Sequence, residues 1–152
     1  MLIVLWCLPF FRLFWEKSML EVYSNTSQTV ETNSAVTFAT TSISDGLNRI
    51  QLVNNNTIQF NEIGKYKTQA IFNLYNSTDT ATTVTLQLYA NGTAVNGTSY
   101  TVTVPATGYT QIIVNKIIKV LPASYGTKAS IQFITSTGAT VIGAICDVFK
   151  QS

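Results

Sequence analysis

The chain of 152 residues contains no histidine. That removes the usual general base near neutral pH, the Ser-His and Cys-His nucleophile pairs, and the commonest zinc ligand. Charge is scarce too: Asp, Glu, Lys and Arg make up 11% of the sequence, well below the usual quarter. The acids Glu21, Glu31, Asp45, Glu62, Asp79 and Asp147 stand far apart and form no motif. A carboxylate pair for glycoside hydrolysis would have to assemble in space alone, and no glycine-rich phosphate loop is present. The sequence therefore reads as that of a non-enzyme, with no cofactor and no metal expected. Lys65, Lys67, Lys116, Lys119 and Lys128 are scattered, without the basic face that nucleic-acid binding requires, so no nucleic-acid partner is expected. Two cysteines define no disulfide framework. Cys146 lies in an apolar stretch and reads as a buried free thiol.

What is present divides the chain in two. Residues 1–18 are apolar and aromatic; from Met19 onward the sequence is rich in Thr, Asn and Ser. Three readings of the first segment stand open. A signal peptide would carry a basic residue before its apolar stretch and a small-residue cleavage site after it, and neither is found. A spanning helix needs about 20 apolar residues, whereas Pro9 and Arg12 interrupt this one. The third reading is a misassigned start. Trp15-Glu16-Lys17 back-translates to a bacterial ribosome-binding-like core just upstream of the Met19 codon, which favours initiation at Met19 and a bacterial or bacteriophage source. Alternatively, the segment is a structural arm or an anchor, and only then is a membrane expected. Residues 19–152 have the length of one domain with a real core.

That domain alternates with period 2. From Gly64 to Tyr75, one face carries Tyr66, Ala70, Phe72 and Leu74; the other carries Lys65, Lys67, Gln69 and Asn73. The next segment buries Val84, Leu86 and Leu88 before Asn91-Gly92, a strong hairpin signal because both residues tolerate positive φ. Asn96-Gly97 is expected to be a second turn, Pro105 to end a strand, and Gly108 to mark a further turn. Earlier strands are expected around residues 21–23, 35–41, 49–53 and 57–60. About nine or ten short strands imply an all-β, antiparallel two-sheet sandwich.

Two stretches are apolar on both faces. In 111–121, Ile112, Val114 and Ile118 oppose Ile113 and Ile117; in 140–149, Val141, Ile145 and Phe149 oppose Ile142, Ala144, Cys146 and Val148. Only one face of a strand meets the core of a two-layer sandwich. The faces bearing Ile113 and Ile117, and Ile142, Ala144, Cys146 and Val148, are therefore assigned to a subunit interface. A covering surface loop is the alternative.

Phe60-Asn-Glu-Ile-Gly-Lys-Tyr66 resembles the F-x-x-x-G-x-Y strand entry of tumour-necrosis-factor-like and complement-globular-head jelly rolls. A long strand follows it, then Leu86-x-Leu88-x-x-Asn91-Gly92, Leu121-Pro-x-x-Tyr-Gly126, Ala129-x-Ile131-x-Phe133 and a terminal strand closing on Phe149. The bacterial and phage branch is the most similar, including spore-surface collagen-like glycoproteins and small phage head or tail proteins. The resemblance implies a TNF-like jelly roll and a homotrimer with its terminal strands at the axis. No Gly-X-Y repeat precedes the domain, so it implies a free-standing trimer docked on a larger assembly. The expected role is a virion structural protein, a capsid decoration or head-fibre subunit partnered by a phage capsid or tail protein. The alternative is a module binding a host-surface glycan or receptor, at a fibre tip or on a bacterial cell or spore surface.

Tyr75, Tyr89, Tyr100, Tyr109 and Tyr125 are candidates for ligand contact, since aromatic faces suit sugar rings. Their bland reading is as half-buried strand or rim residues. Sequons occur at Asn25, Asn55, Asn76, Asn91 and Asn96. Asp45 with Asn48, and Asp79 with nearby threonines, are read as turn formers before calcium ligands.

Overall fold

The computed structural model describes residues 18–122 and 129–151. Twelve strands form two six-stranded antiparallel sheets. The first sheet, A, runs β10(Tyr109–Val120), β7(Gly64–Tyr75), β12(Ala139–Gln151), β1(Met19–Ser24) and β4(Thr40–Ser44), with β2(Gln28–Val30) added on β12. Sheet B runs β5(Ile50–Val53), β6(Thr57–Phe60), β11(Ala129–Thr135), β8(Thr82–Ala90) and β9(Thr93–Val104), with β3(Ser34–Ala35) on β11.

The alternation seen in the sequence sets which side of each sheet is inside. β7 buries Tyr66, Ala70, Phe72 and Leu74, and β8 buries Val84, Leu86 and Leu88. Between the sheets, Phe72 meets Phe133 at 5.0 Å and Phe38 at 6.3 Å, while Phe60 packs on Tyr66 at 4.7 Å. The buried Tyr66 hydroxyl donates to the Glu62 carbonyl at 2.8 Å. Burial raises its pKa to about 12, and the Glu62 charge adds to the rise. Thus the F-x-x-x-G-x-Y segment is a corner that ties the start of β7 to the end of β6.

Three expectations are corrected in detail. Asn91-Gly92 turns the β8–β9 hairpin with both residues at positive φ, 50° and 77°, as expected. Asn96-Gly97, however, does not end a strand. It lies inside β9, where the pairing jumps from Gln87–Ser99 to Tyr89–Ala94, and its glycine takes φ 71° within that bulge. The short strand at Gln28–Val30 was missed because three residues are too few to show a period. Finally, β12 carries a bulge between Val141 and Gly143, which inverts the phase of everything after it.

The described residues also begin one before Met19. Ser18 is buried, its carbonyl accepts from the Lys150 amide at 2.9 Å, and its hydroxyl accepts from Arg49 Nη1 at 3.3 Å. The described fold therefore includes a residue that the sequence break assigned to the leader.

Candidate functional site

Because strands of sheet A pair in register, its outward residues line up in rows across the sheet. The central row is Ile113, Ile71, Ile145 and Tyr23, contributed by β10, β7, β12 and β1. The next row towards the Gly64 end is Asn115, Gln69, Asp147 and Glu21, extended by Ile43 of β4. Beyond it lie Ile117, Lys67, Phe149 and Met19. Ile43, Ile113 and Ile117 are exposed at 43%, 53% and 55%. Stripes of apolar side chains thus alternate with polar ones on one open face.

Neighbouring side chains order the polar stripes. Gln69 Nε2 donates to Asn115 Oδ1 at 2.8 Å, and Gln111 Nε2 donates to Asn73 Oδ1 at 2.7 Å. Glu21 and Asp147 are direct cross-strand partners, and the Ser42 hydroxyl donates to Glu21. Burial raises the Asp147 pKa and the Glu21 carboxylate raises it further; its Oδ1 is buried without a partner. Two shallow depressions flank the β12 bulge. One, of about 300 Å³, lies among Asn73, Leu74, Tyr109, Thr110, Gln111 and Ile142; the other, of about 360 Å³, lies among Tyr23, Asn25, Asn73, Gly143, Ala144 and Ile145.

The structure splits the interface residues assigned from sequence. Ile113 and Ile117 are on the outer face, exposed, and Ile142 is outward at the bulge. Ala144, Cys146 and Val148 are not: at 4%, 0% and 0% exposure they belong to the subunit core. A regular strand would set them on the side of Ile142, but the bulge at Ile142–Gly143 turns them inward and sends Ile145 and Phe149 outward. Sequence reasoning missed those two, together with Ile71 and Tyr23. Gly143 inside an apolar run was the signal for a bulge. Cys146 is a free, buried thiol, and burial pushes its pKa well above the ordinary range, so it stays protonated and unreactive.

Of the candidate tyrosines, the fold brings two together. Tyr75 and Tyr109 stack at 4.7 Å and 29°, at the end of sheet A away from Gly64. Tyr89 lies on the far sheet, Tyr100 packs against the core, and Tyr125 lies outside the described residues. Asn76, one of the sequons, is 6% exposed and committed to loop hydrogen bonds, whereas Asn25, Asn55, Asn91 and Asn96 are exposed. Asp45 Oδ1 accepts from the Leu47 amide at 3.0 Å, which is a turn-forming role. Among the described residues no group of three or more acidic or cysteine side chains is placed to hold a metal.

The outer face of sheet B is different in kind. Its strands contain no charged residue at all. Thr83, Thr85 and Gln87 on β8 face Thr103, Thr101 and Ser99 on β9, with Thr85 and Thr101 hydroxyls 2.9 Å apart. The outer face of sheet B is uncharged, setting hydroxyls and carboxamides beside Tyr89 and Ile134; that of sheet A sets apolar rows between charged and carboxamide ones.

No family model and no curated sequence matches the chain. Solved structures do. The globular domain of zebrafish complement 1qA superposes with a TM-score of 0.63 at 12% identity, over 90% of this chain and 98% of that one. The fold is a TNF- and C1q-like jelly roll. The Eiger TNF of S. frugiperda gives 0.63 at 12% identity, over 90% and 94% of the two chains. A phage protein is also similar: the PRD1 vertex protein P5 gives 0.53 at 16% identity, over 89% and 97%.

Proposed function

We propose that this chain is a non-catalytic module that assembles into a homotrimer through the outer face of sheet A and serves as a structural protein on a bacteriophage virion, decorating a capsid or forming a head fibre. The observation that carries the reading is the contrast between the two sheets. An open face with a central row of Ile113, Ile71, Ile145 and Tyr23 gains by being covered. An uncharged Thr and Gln face is already well solvated. A second copy of the same chain supplies an apolar face of matching kind, and closed symmetry uses one patch repeatedly. The fold is shared with a phage vertex protein. Docking on a phage capsid or tail protein, and a place on the virion surface, belong to this reading.

Ile113→Asp and Ile145→Asp test it, with Ile112→Asp and Val141→Asp as controls at positions only 2% and 0% exposed. The outward variants are expected to sediment as folded monomers, because an unpaired carboxylate buried in the interface costs several kcal/mol. The controls are expected to lose the fold itself. Trimers persisting at micromolar concentration in both outward variants would refute the assembly face.

The stacked Tyr75 and Tyr109 favour a second role for the same module, recognition of a host-surface glycan. Tyr109 is 67% exposed and lines a depression with the carboxamides of Asn73 and Gln111, an apolar platform beside hydrogen-bonding groups. Tyr109→Ala is expected to abolish retention on bacterial cell-wall glycans; unchanged retention would remove this role.

A further inference from the structure

We propose that the end of the sandwich where β7 begins and β10 ends is a docking surface for an anionic lipid bilayer. The cations that look scattered in sequence are gathered by the register. Every described basic residue, Arg49, Lys65, Lys67, Lys116, Lys119 and Lys150, falls in the half of the sandwich nearer this end. Arg49 and Lys150 are engaged with Glu62, at 4.0 and 2.9 Å. Lys65, Lys67 and Lys119 have no ion-pair partner among the described residues. Lys65 and Lys119 are direct cross-strand partners, and like charges so placed repel. An external anion lying between them relieves that repulsion. Among the described residues, the carboxylates nearby are committed elsewhere or set back: Glu62 to its two cations, Asp45 to its turn, and Glu21 and Asp147 two rows up the sheet. At the opposite end stand Glu31 and Asp79, with no described cation beside them.

The same end is apolar at its tips. Ile63 immediately before β7, Leu121 immediately after β10 and Leu47 in the β4–β5 loop are 56%, 60% and 55% exposed. Apolar tips beside Lys65 and Lys119 fit a headgroup layer, where the tips enter the acyl boundary and the ammonium groups stay with the phosphates. A nucleic-acid groove offers nothing to exposed leucine and isoleucine.

The test uses the full chain with vesicles of phosphatidylcholine alone and of phosphatidylcholine with 30% phosphatidylglycerol, read by co-sedimentation. Binding is expected to be much tighter to the anionic vesicles. Each lysine near such a surface contributes about fivefold, so Lys65→Gln/Lys119→Gln should weaken it on the order of 20-fold, as should raising the salt to 0.5 M. Ile63→Ser/Leu121→Ser should weaken it as well. Both lysines are exposed, and thermal unfolding checks that the variants fold. Should they fail to fold, vesicle composition and salt on the unaltered chain decide. Equal binding to both vesicles, indifference to salt, or preference for soluble duplex DNA or polyglutamate over anionic vesicles would overturn the proposal. Sedimentation velocity on each variant separates a loss of lipid binding from a change of assembly.

Discussion

The carboxamide of Asn76 shows how a polar side chain can organise one end of a β-sandwich. Its Nδ2 donates to the Thr80 carbonyl at 2.7 Å and the Pro105 carbonyl at 3.2 Å, while its Oδ1 accepts from the Thr78 amide at 3.0 Å and hydroxyl at 2.8 Å. Two loops therefore depend on one residue. Asn76→Ala is expected to cost about 2–3 kcal/mol, the penalty for leaving several such groups unpaired, measured by urea unfolding. Asp147 makes the opposite case. Its carboxyl is pushed above its ordinary pKa by burial and by Glu21, so folding favours its protonated form. Its contribution to stability is complete below the unfolded pKa, near 3.9, and is lost as pH rises through the raised folded value. Asp147→Asn should therefore stabilise the protein at neutral pH, by about 0.5 kcal/mol if the gain is that of relieving one like-charge cross-strand pair. The gain should vanish by pH 3. A Tm difference between variant and parent that does not change with pH would contradict the repulsion.

At the scale of elements, most strands follow from alternation and most turns from turn chemistry. Asn91-Gly92 is the clearest case. Both residues take positive φ, and Asn91 Oδ1 further accepts from the Ser130 amide at 2.8 Å, anchoring the hairpin to β11. Gly92→Ala is expected to cost about 1–2 kcal/mol, since a Cβ disfavours that backbone region although open space surrounds it; calorimetry would show the fall in Tm. Bulges were the least legible part: Gly143 marks that one can occur, not how it shifts the register. A strand's period of 2 carries no mark of where an extra residue enters, so a one-residue insertion at Ile142–Gly143 exchanged the faces of Ala144, Cys146 and Val148 with those of Ile145 and Phe149. Asn96-Gly97 misled in the same way, because a residue pair suited to positive φ serves a turn or a bulge equally. Half of the outer apolar face of sheet A was thus readable from Ile113 and Ile117, and the other half required the register.

For the whole molecule, what the sequence conceals is how distant residues come together. Lys65 and Lys119 are 54 positions apart yet opposite one another, and Tyr75 meets Tyr109 only because β7 and β10 pair. The proposed assembly would link these features, since three-fold repetition would set three basic ends on one side of the particle and three tyrosine stacks on the other. It also has a thermodynamic signature independent of any mutation. A protein stabilised by binding copies of itself gains stability with concentration, whereas a monomer does not. If the outer face of sheet A is buried between subunits, diluting the protein a hundredfold should lower Tm by several degrees, with a matching loss of the trimer in sedimentation velocity. The dilution should have no such effect on Ile113→Asp, which is already monomeric under the same assignment. A chain starting at Ser18 should behave as the full chain does in this experiment, because the rows of the face lie wholly within β1, β4, β7, β10 and β12. A Tm independent of concentration for the parent protein, together with a monomeric sedimentation coefficient, would mean that the isoleucine rows await a different partner.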